Sequence, residues 1–533
     1  MSGDSEASPR HALAERVLAL LPLLGAVPVA LWLVGAYADD AARIVAGVSL
    51  IGFVLTRKTV PARPRPGLTL ALNVGWISAP AIVAVHQLAK VLAGRQGIDF
   101  AIFAQVVHAI ASSGVPTTTL LGPEPVNFLA HHFAPILYVP GGLSFLGLPA
   151  PVSLVLVHGA CFGAALWGLH RFCLVLGLDR TLAAAWTFAL ALAPSVRPEM
   201  LWGVHDELFA LPLLAWAFVA LAQRRPMLSL GLAAACSLAK ESFFAVPMLW
   251  SVLVVLELRA SGTRVTRGQA LALTGASLGS AALGAFYVFG QPLWLGAEFH
   301  HFDKFGAAAW EPGALRTKLL FLLSLVVPLA GLPLTTKRGL AFCLPAMPFL
   351  LLGLVASDPE MYRPTGYHAV LPQFVLGFAG ALGLRALRLP SGRVPVALAL
   401  LLSAQLTWGA HGLWKPLKEA VAQSWYPTHE FDFLPPDTLV AVDPAAALAL
   451  LNHRRTTRLW AANESAPVGL QMVIARPGGW EAPAPALAAT MSPCGRASAW
   501  LTLCAAGASE PRGPSPDAGV SPPPSSDHGL IPP

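Results

Sequence analysis

The chain has 533 residues, of which 55% are hydrophobic and 12% charged, with mean hydropathy +0.62 and formal net charge +7. A soluble globular protein carries about twice that share of charge. The composition therefore excludes an ordinary soluble domain and points to a polytopic membrane protein. The positive balance needs no nucleic acid as a partner, because the bias of basic residues toward cytoplasmic loops accounts for it.

In chain order, apolar runs, near 20 residues along most of the chain, predict about 13 transmembrane helices. They lie near residues 17–36, 42–56, 67–90, 150–170, 181–195, 206–222, 228–239, 243–258, 268–290, 315–333, 339–356, 367–385 and 394–412. The end of the first, "VGAYADDAA", imitates a small-residue cleavage site, but the run is long for a signal peptide. With the N-terminus in the cytoplasm, one set of alternate loops collects the basic residues. These are Arg57, Lys58, Arg63 and Arg65; Arg171 and Arg180; Arg224 and Arg225; Arg259, Arg264 and Arg267; Lys337 and Arg338; and Arg385, Arg388 and Arg393. That alternation sets the orientation, and an odd number of spans puts the C-terminal part outside the cytoplasm.

The expected organisation is a transmembrane hairpin over 1–66, a transmembrane domain over 67–412, a small extracytoplasmic domain over 413–510 and a disordered Pro/Ser-rich tail over 511–533. Residues 91–149 form a large first extracytoplasmic loop. It holds an interfacial helix from Phe100, with Phe100, Phe103, Val107 and Ile110 on one face, and then a segment dipping toward the membrane. In the C-terminal domain "DTLVAVDPAAALALLNHRR" reads as strand, turn and helix. Cys161, Cys173, Cys236 and Cys343 fall in apolar runs as small core residues, whereas Cys494 and Cys504 can pair if their domain faces an oxidising compartment.

With this topology the unusual polar residues gather on the outer rim. The first loop supplies Asp99, Gln105, His108, Glu124, Asn127 and the pair His131–His132; "RPEMLWGVHDELFALPLL" supplies Glu199, His205, Asp206 and Glu207. Lys240 and Glu241 follow in "SLAKESFFAVP", then His300, His301, Asp303 and Lys304, and finally Arg363, Tyr367 and His368. Ionisable groups at a membrane edge are costly unless they meet water, a partner or a ligand, so this company implies a polar cavity open to the outside. Each residue also has a structural reading. Asp99 can cap the helix that follows; His131–His132 can anchor at the interface; Asp206 and Glu207 suit a helix N-terminus; Lys240–Glu241 can be a local ion pair; and His300–His301 can be a polar loop. No phosphate-binding loop, dinucleotide fingerprint, nucleophile elbow or HExxH motif occurs. The histidine spacings specify no metal site, although a divalent cation held by Asp99, His131, Asp206 or Glu207 stays open.

The order "GIDFAIFAQVVH", "NFLAHHFAPILYVPGGLSFLG", "HDELFALPLLAWAF", "LAKESFFAVPML" and "YHAVLPQFVLGFAGAL" resembles the bacterial membrane-protein family called domain of unknown function 2079. The likeness runs from about residue 95 to 460 and includes "VAVDPAAALALLNHRRTTRLW". That family is similar in architecture to the GT-C glycosyltransferases, among them protein mannosyltransferases and lipid A aminoarabinose transferase. The resemblance implies an all-α GT-C-like transmembrane domain with a small α/β extracytoplasmic domain, in the bacterial inner membrane of the cell envelope. It implies an inverting transferase that moves a sugar from a polyprenyl-phosphate donor to an acceptor on the extracytoplasmic face. Asp99 then takes the place of the catalytic acid and Lys240 suits a lipid phosphate. His131, His132, His205, Asp206, Glu207, Glu241 and His368 complete the substrate-binding set. Where the family often has a second acid four or five residues on, this chain has Phe103, Ala104 and Gln105. Two other classes remain: a transporter or flippase of a lipid-linked or small polar solute, and a non-catalytic protein of the same fold.

Overall fold

The computed structural model describes residues 66–92, 96–121, 125–193, 195–196, 200–201, 203–294, 304–326, 329, 331–363 and 367–386. In the C-terminal part it describes 440–442, 456–458, 472–475, 491–493 and 501–505. The expected spans 17–36, 42–56 and 394–412, the cleavage-like stretch after the first span and the tail 511–533 lie outside these residues. So do Glu124, Glu199, His300, His301, Asp303 and Cys494.

The chain divides into two compact units, Met1–Thr118 with Val126–Trp425, and Thr119–Pro125 with Tyr426–Pro533. The first is helical. Its helices are α1 (Pro66–Leu92), α2 (Ile98–Ser113), the single turn α3 (Phe128–His131), α4 (Tyr138–Phe145), α5 (Ala150–Val175), α6 (Arg180–Ala191), α7 (Leu211–Ala222) and α8 (Pro226–Ala235). They continue with α9 (Val246–Ala260), α10 (Arg267–Trp294), α11 (Pro312–Val326), α12 (Lys337–Phe342), α13 (Met347–Val355) and α14 (Tyr367–Ala386). Six helical stretches among the described residues are long and apolar enough to cross a membrane: Thr69–Leu92, Ala150–Val175, Glu241–Ala260, Arg267–Gly290, Lys337–Val355 and His368–Ala386. The chain is thus a mostly helical membrane protein. The expected spans near 181–195, 206–222, 228–239 and 315–333 fall on helices shorter than a full crossing.

Helix packing is close where side chains are small. A Cβ on Gly168 of α5 would come within 2.7 Å of the Ala215 Cβ of α7, so only glycine permits this approach. Around that contact, Phe218 of α7 stacks on Phe378 of α14 at 4.6 Å and meets Trp250 of α9 at 4.6 Å, at the centre of the core. By contrast Leu271, Leu278 and Phe289 of α10 are exposed, as a lipid-facing helix requires.

The expectation for α2 needs correction. It is not amphipathic but buried: Phe100 through Val107, and Ile110, are all inside. The side opposite Phe100, Phe103, Val107 and Ile110 carries Ala101, Ile102, Ala104 and Val106, so α2 has apolar groups all round and packs against α4 and α5. It ends at Gly114, whose φ of 75° closes the helix in the left-handed conformation.

The second unit carries a five-stranded sheet. Its strands are β3 (Val440–Val442), β4 (Thr456–Arg458), β5 (Met472–Ala475), β6 (Met491–Pro493) and β7 (Leu501–Ala505), following the hairpin strands β1 (Thr117–Thr118) and β2 (Val126–Asn127) in the chain. The order is β4-β3-β5-β7-β6; β3 runs parallel to β4 and β5, while β7 runs antiparallel to β5 and β6. The expected strand at "VAV" is β3. The helix expected after it falls on 443–455, outside the described residues.

Candidate functional site

Two stretches of similar design bring the charges together. In each, an extended residue (His205 or Lys240) precedes a five-residue 3-10 turn that opens on an acid, Asp206–Ala210 or Glu241–Ala245. An apolar helix follows with proline in its first turn: Pro212 in α7 and Pro247 in α9. Proline is tolerated there because the N–H it lacks would have no partner inside the helix. Each apolar helix is thereby led in by a short polar stretch, and the two stretches meet.

Lys240 joins them. Its Nζ donates to Glu207 Oε1 at 2.6 Å and to Asp206 Oδ1 at 3.3 Å, and Asp206 is fully buried. Beyond any local pairing with Glu241, Lys240 thus bridges to acids 33 and 34 residues upstream. The neighbouring Glu241 faces the first loop instead: Oε1 accepts from His132 Nδ1 at 2.9 Å and Oε2 from the Phe133 backbone N–H at 2.9 Å. A carboxylate can only accept, so the His132 proton sits on Nδ1. Burial and the nearby Lys240 ammonium hold the His132 imidazole below its ordinary value of 6.5, outweighing Glu241. Two carboxylate oxygens, Asp206 Oδ2 and Glu207 Oε2, are buried without a hydrogen-bond partner among the described residues.

The histidines form one wall. β1 and β2 pair antiparallel, Thr118 Oγ1 donates to Gln105 Oε1 of α2 at 2.6 Å, and the Asn127 side chain caps α3 through the Leu129 N–H. This folds Phe128 onto Phe103 of α2 at 5.6 Å between ring centroids. His131 and His132 stand beside Phe128 with their rings 4.6 Å apart, and His205 meets the other side of Phe103 at 6.5 Å. Glu207 is within electrostatic reach of both His205 and His368. The structure therefore gathers His131, His132, His205, Asp206, Glu207, Lys240, Glu241 and His368.

Asp99 stands apart from these ion pairs. It is exposed in the first turn of α2, and the cap position belongs to Gly97, without a side-chain cap bond. The capping role expected of Asp99 is thus corrected, although its charge still suits the helix N-terminus. It lies one turn before Phe103 on α2. Two amides missed in the sequence reading tie this end of α2 to the acids. Gln96 Nε2 donates to Gln87 Oε1 and to the Gln87 carbonyl, both at 3.0 Å. Gln87 Nε2 in turn donates to the Met200 carbonyl at 2.8 Å and the Gly203 carbonyl at 3.4 Å, just ahead of His205. A glutamine inside the apolar run of α1, Gln87, was the available signal. His158, in the middle of α5 and 1% exposed, was also passed over.

Among the described residues no group of three or more His, Cys, Asp or Glu side chains is arranged to hold a metal ion.

Residues 95–302 match the profile of a family described as predicted membrane protein (DUF2079), so the resemblance to that family holds over this segment. The segment includes Asp99 and every residue of the expected substrate-binding set except His368. No curated protein matches the chain. Among solved structures, ArnT from Cupriavidus metallidurans bound to undecaprenyl phosphate is similar with TM-score 0.46 and 13% identity, over 81% of this chain and 98% of that one. ArnT from the same organism in the apo state gives TM-score 0.44 and 11% identity over the same shares.

Proposed function

We propose that this chain is an inverting membrane glycosyltransferase that moves a sugar from a polyprenyl-phosphate donor to an acceptor on the extracytoplasmic face. The observation that carries the reading is the buried cluster Asp206–Glu207–Lys240, roofed by His131, His132 and Glu241 where apolar helices begin. Charge this well buried at helix ends marks a site that handles a polar ligand beside lipid. The family resemblance supplies the reaction class. The chain sits in the bacterial cytoplasmic membrane, N-terminus inside and C-terminal domain outside.

In this mechanism Asp99 accepts the proton of the acceptor hydroxyl as its oxygen attacks the anomeric carbon. The bond from that carbon to the phosphate oxygen breaks, and its electron pair leaves with the polyprenyl phosphate. Lys240, with His131 or His132, meets the charge that develops on the phosphate. Because Lys240 already donates to two carboxylates, its turn toward phosphate is matched by Asp206 or Glu207 turning toward the sugar. His205 and His368 border the sugar side, and a divalent cation is an optional further partner.

The test is to incubate the purified protein with labelled undecaprenyl-phosphate sugars and an envelope lipid extract. Release of undecaprenyl phosphate together with a labelled lipid product supports the reading; an unchanged donor contradicts it. One observation favours a second reading, a transporter: Asp206 is fully buried at a helix break, where transporters place their sites. Movement of unmodified donor across sealed vesicles, without release of the lipid phosphate, would select it.

A further inference from the structure

His158 is the ninth residue of α5, one turn from Leu154 and from Phe162, both buried, so its face of the helix is otherwise apolar. Both ring nitrogens, Nδ1 and Nε2, are buried without a hydrogen-bond partner among the described residues. A neutral imidazole carries one donor and one acceptor, and leaving both unmet inside a protein is destabilising. A leucine or phenylalanine would fill the same place at no such cost. An unmet polar group of this kind inside a membrane span is by default a functional group.

Its surroundings indicate what it meets. The turn Asp206–Ala210 packs directly on α5, and His158 lies within electrostatic reach of His205. That turn carries the other unmet atoms, Asp206 Oδ2 and Glu207 Oε2. A carboxylate oxygen accepts and never donates, and the cation beside these two acids, Lys240, is already bonded to both. A second anion such as phosphate does not belong on this side of the cluster. A neutral group rich in hydroxyls does, since each O–H donates to a carboxylate while its oxygen receives the imidazole N–H.

We propose that His158 is a binding residue of the same site, hydrogen-bonded to a hydroxyl of the sugar that Asp206 and Glu207 also hold, with the lipid phosphate excluded from this side. The proposal rests on the glycosyltransferase reading and adds to it a residue and a division of the site: neutral polyol at His158, Asp206 and Glu207, phosphate toward His131 and His132.

The test uses the full chain in nanodiscs as wild type, His158→Phe, His158→Gln and Glu207→Gln. Thermal unfolding is followed alone, with undecaprenyl phosphate, and with undecaprenyl phosphate carrying glucose, galactose or mannose. The sugar-dependent shift is the difference between a sugar-bearing and the bare lipid. His158→Phe is expected to unfold at or above the wild-type temperature and to bind bare lipid normally. It should bind the sugar-bearing lipid about tenfold more weakly, the loss of one buried hydrogen bond, with His158→Gln between the two. A lower unfolding temperature for His158→Phe with its sugar-dependent shift intact, while Glu207→Gln loses that shift, makes His158 structural and overturns this proposal alone. A wild type that does not distinguish sugar-bearing from bare lipid overturns the transferase reading and this proposal with it.

Discussion

At the scale of single residues, the centre of the account is one ammonium shared by two carboxylates. Lys240 is 8% exposed, Glu207 4% and Asp206 fully buried. Removing one member of such a group strands the opposite charge and costs about 3–5 kcal/mol, whereas neutralising several members together is far milder. Lys240→Met should therefore lower the unfolding temperature or the folded yield sharply. Adding Asp206→Asn and Glu207→Gln to Lys240→Met should restore much of the loss, as size-exclusion profiles after heating would show. Equal damage in the single and triple variants would mean that the bridge does not form. His132 gives a pH signature. Its value in the fold lies below 6.5, so as pH falls through 6.5 the unfolded chain takes up a proton that the folded chain refuses. This part of the stability is complete above pH 6.5 and declines below it, until the folded-state value is passed. Unfolding temperatures between pH 5 and 7.5 should fall more steeply for wild type than for His132→Gln; parallel curves would contradict the assignment. The sequence identified most of these residues by their cost in an apolar chain. It did not identify their partners, because which helix ends meet is set by tertiary packing. His158 escaped because a lone histidine in an apolar run resembles a core residue.

Among elements, helices α1, α5, α9, α10 and α14 were legible as apolar runs, and the lead-ins to α7 and α9 as charged residues ahead of proline. The character of α2 was not. Four apolar residues on one face suggested an amphipathic helix, but only burial distinguishes that from a helix apolar on every side. Besides its packing on α4 and α5, the start of α2 is tied to α1 by an amide bridge that periodicity cannot reveal. Gln87 connects α1 to Gln96 and to the carbonyls of Met200 and Gly203. Gln87→Leu removes one of the two Gln87 acceptors of the Gln96 amide and the side-chain donor to the Met200 carbonyl, and should cost about 1–3 kcal/mol. It should also loosen the placement of Asp99 relative to His205, lowering kcat more than it raises KM for the donor. A stability loss with unchanged turnover per folded molecule would leave the bridge a purely structural role.

For the molecule as a whole, the apolar composition marks a membrane protein, and the alternation of basic loops predicts a polar rim facing outward. On the side expected to be cytoplasmic, Arg338 of α12 grips Glu257 of α9 through both of its carboxylate oxygens. The rim expected to face outward instead holds acids, histidines and Lys240. A tag at the C-terminus should be cut by protease in intact spheroplasts, and one at the N-terminus only in inverted vesicles; the reverse pattern would place the rim in the cytoplasm and contradict the proposed site. The central claim is that this rim performs glycosyl transfer with Asp99 as the base. Asp99 is exposed, so replacing it should leave the fold and donor binding intact. The most direct measurement is sugar transfer from a polyprenyl-phosphate donor by Asp99→Asn, using protein that matches wild type in unfolding temperature and donor affinity. The account predicts a rate reduced by about 10²–10⁴; transfer at the wild-type rate would contradict it.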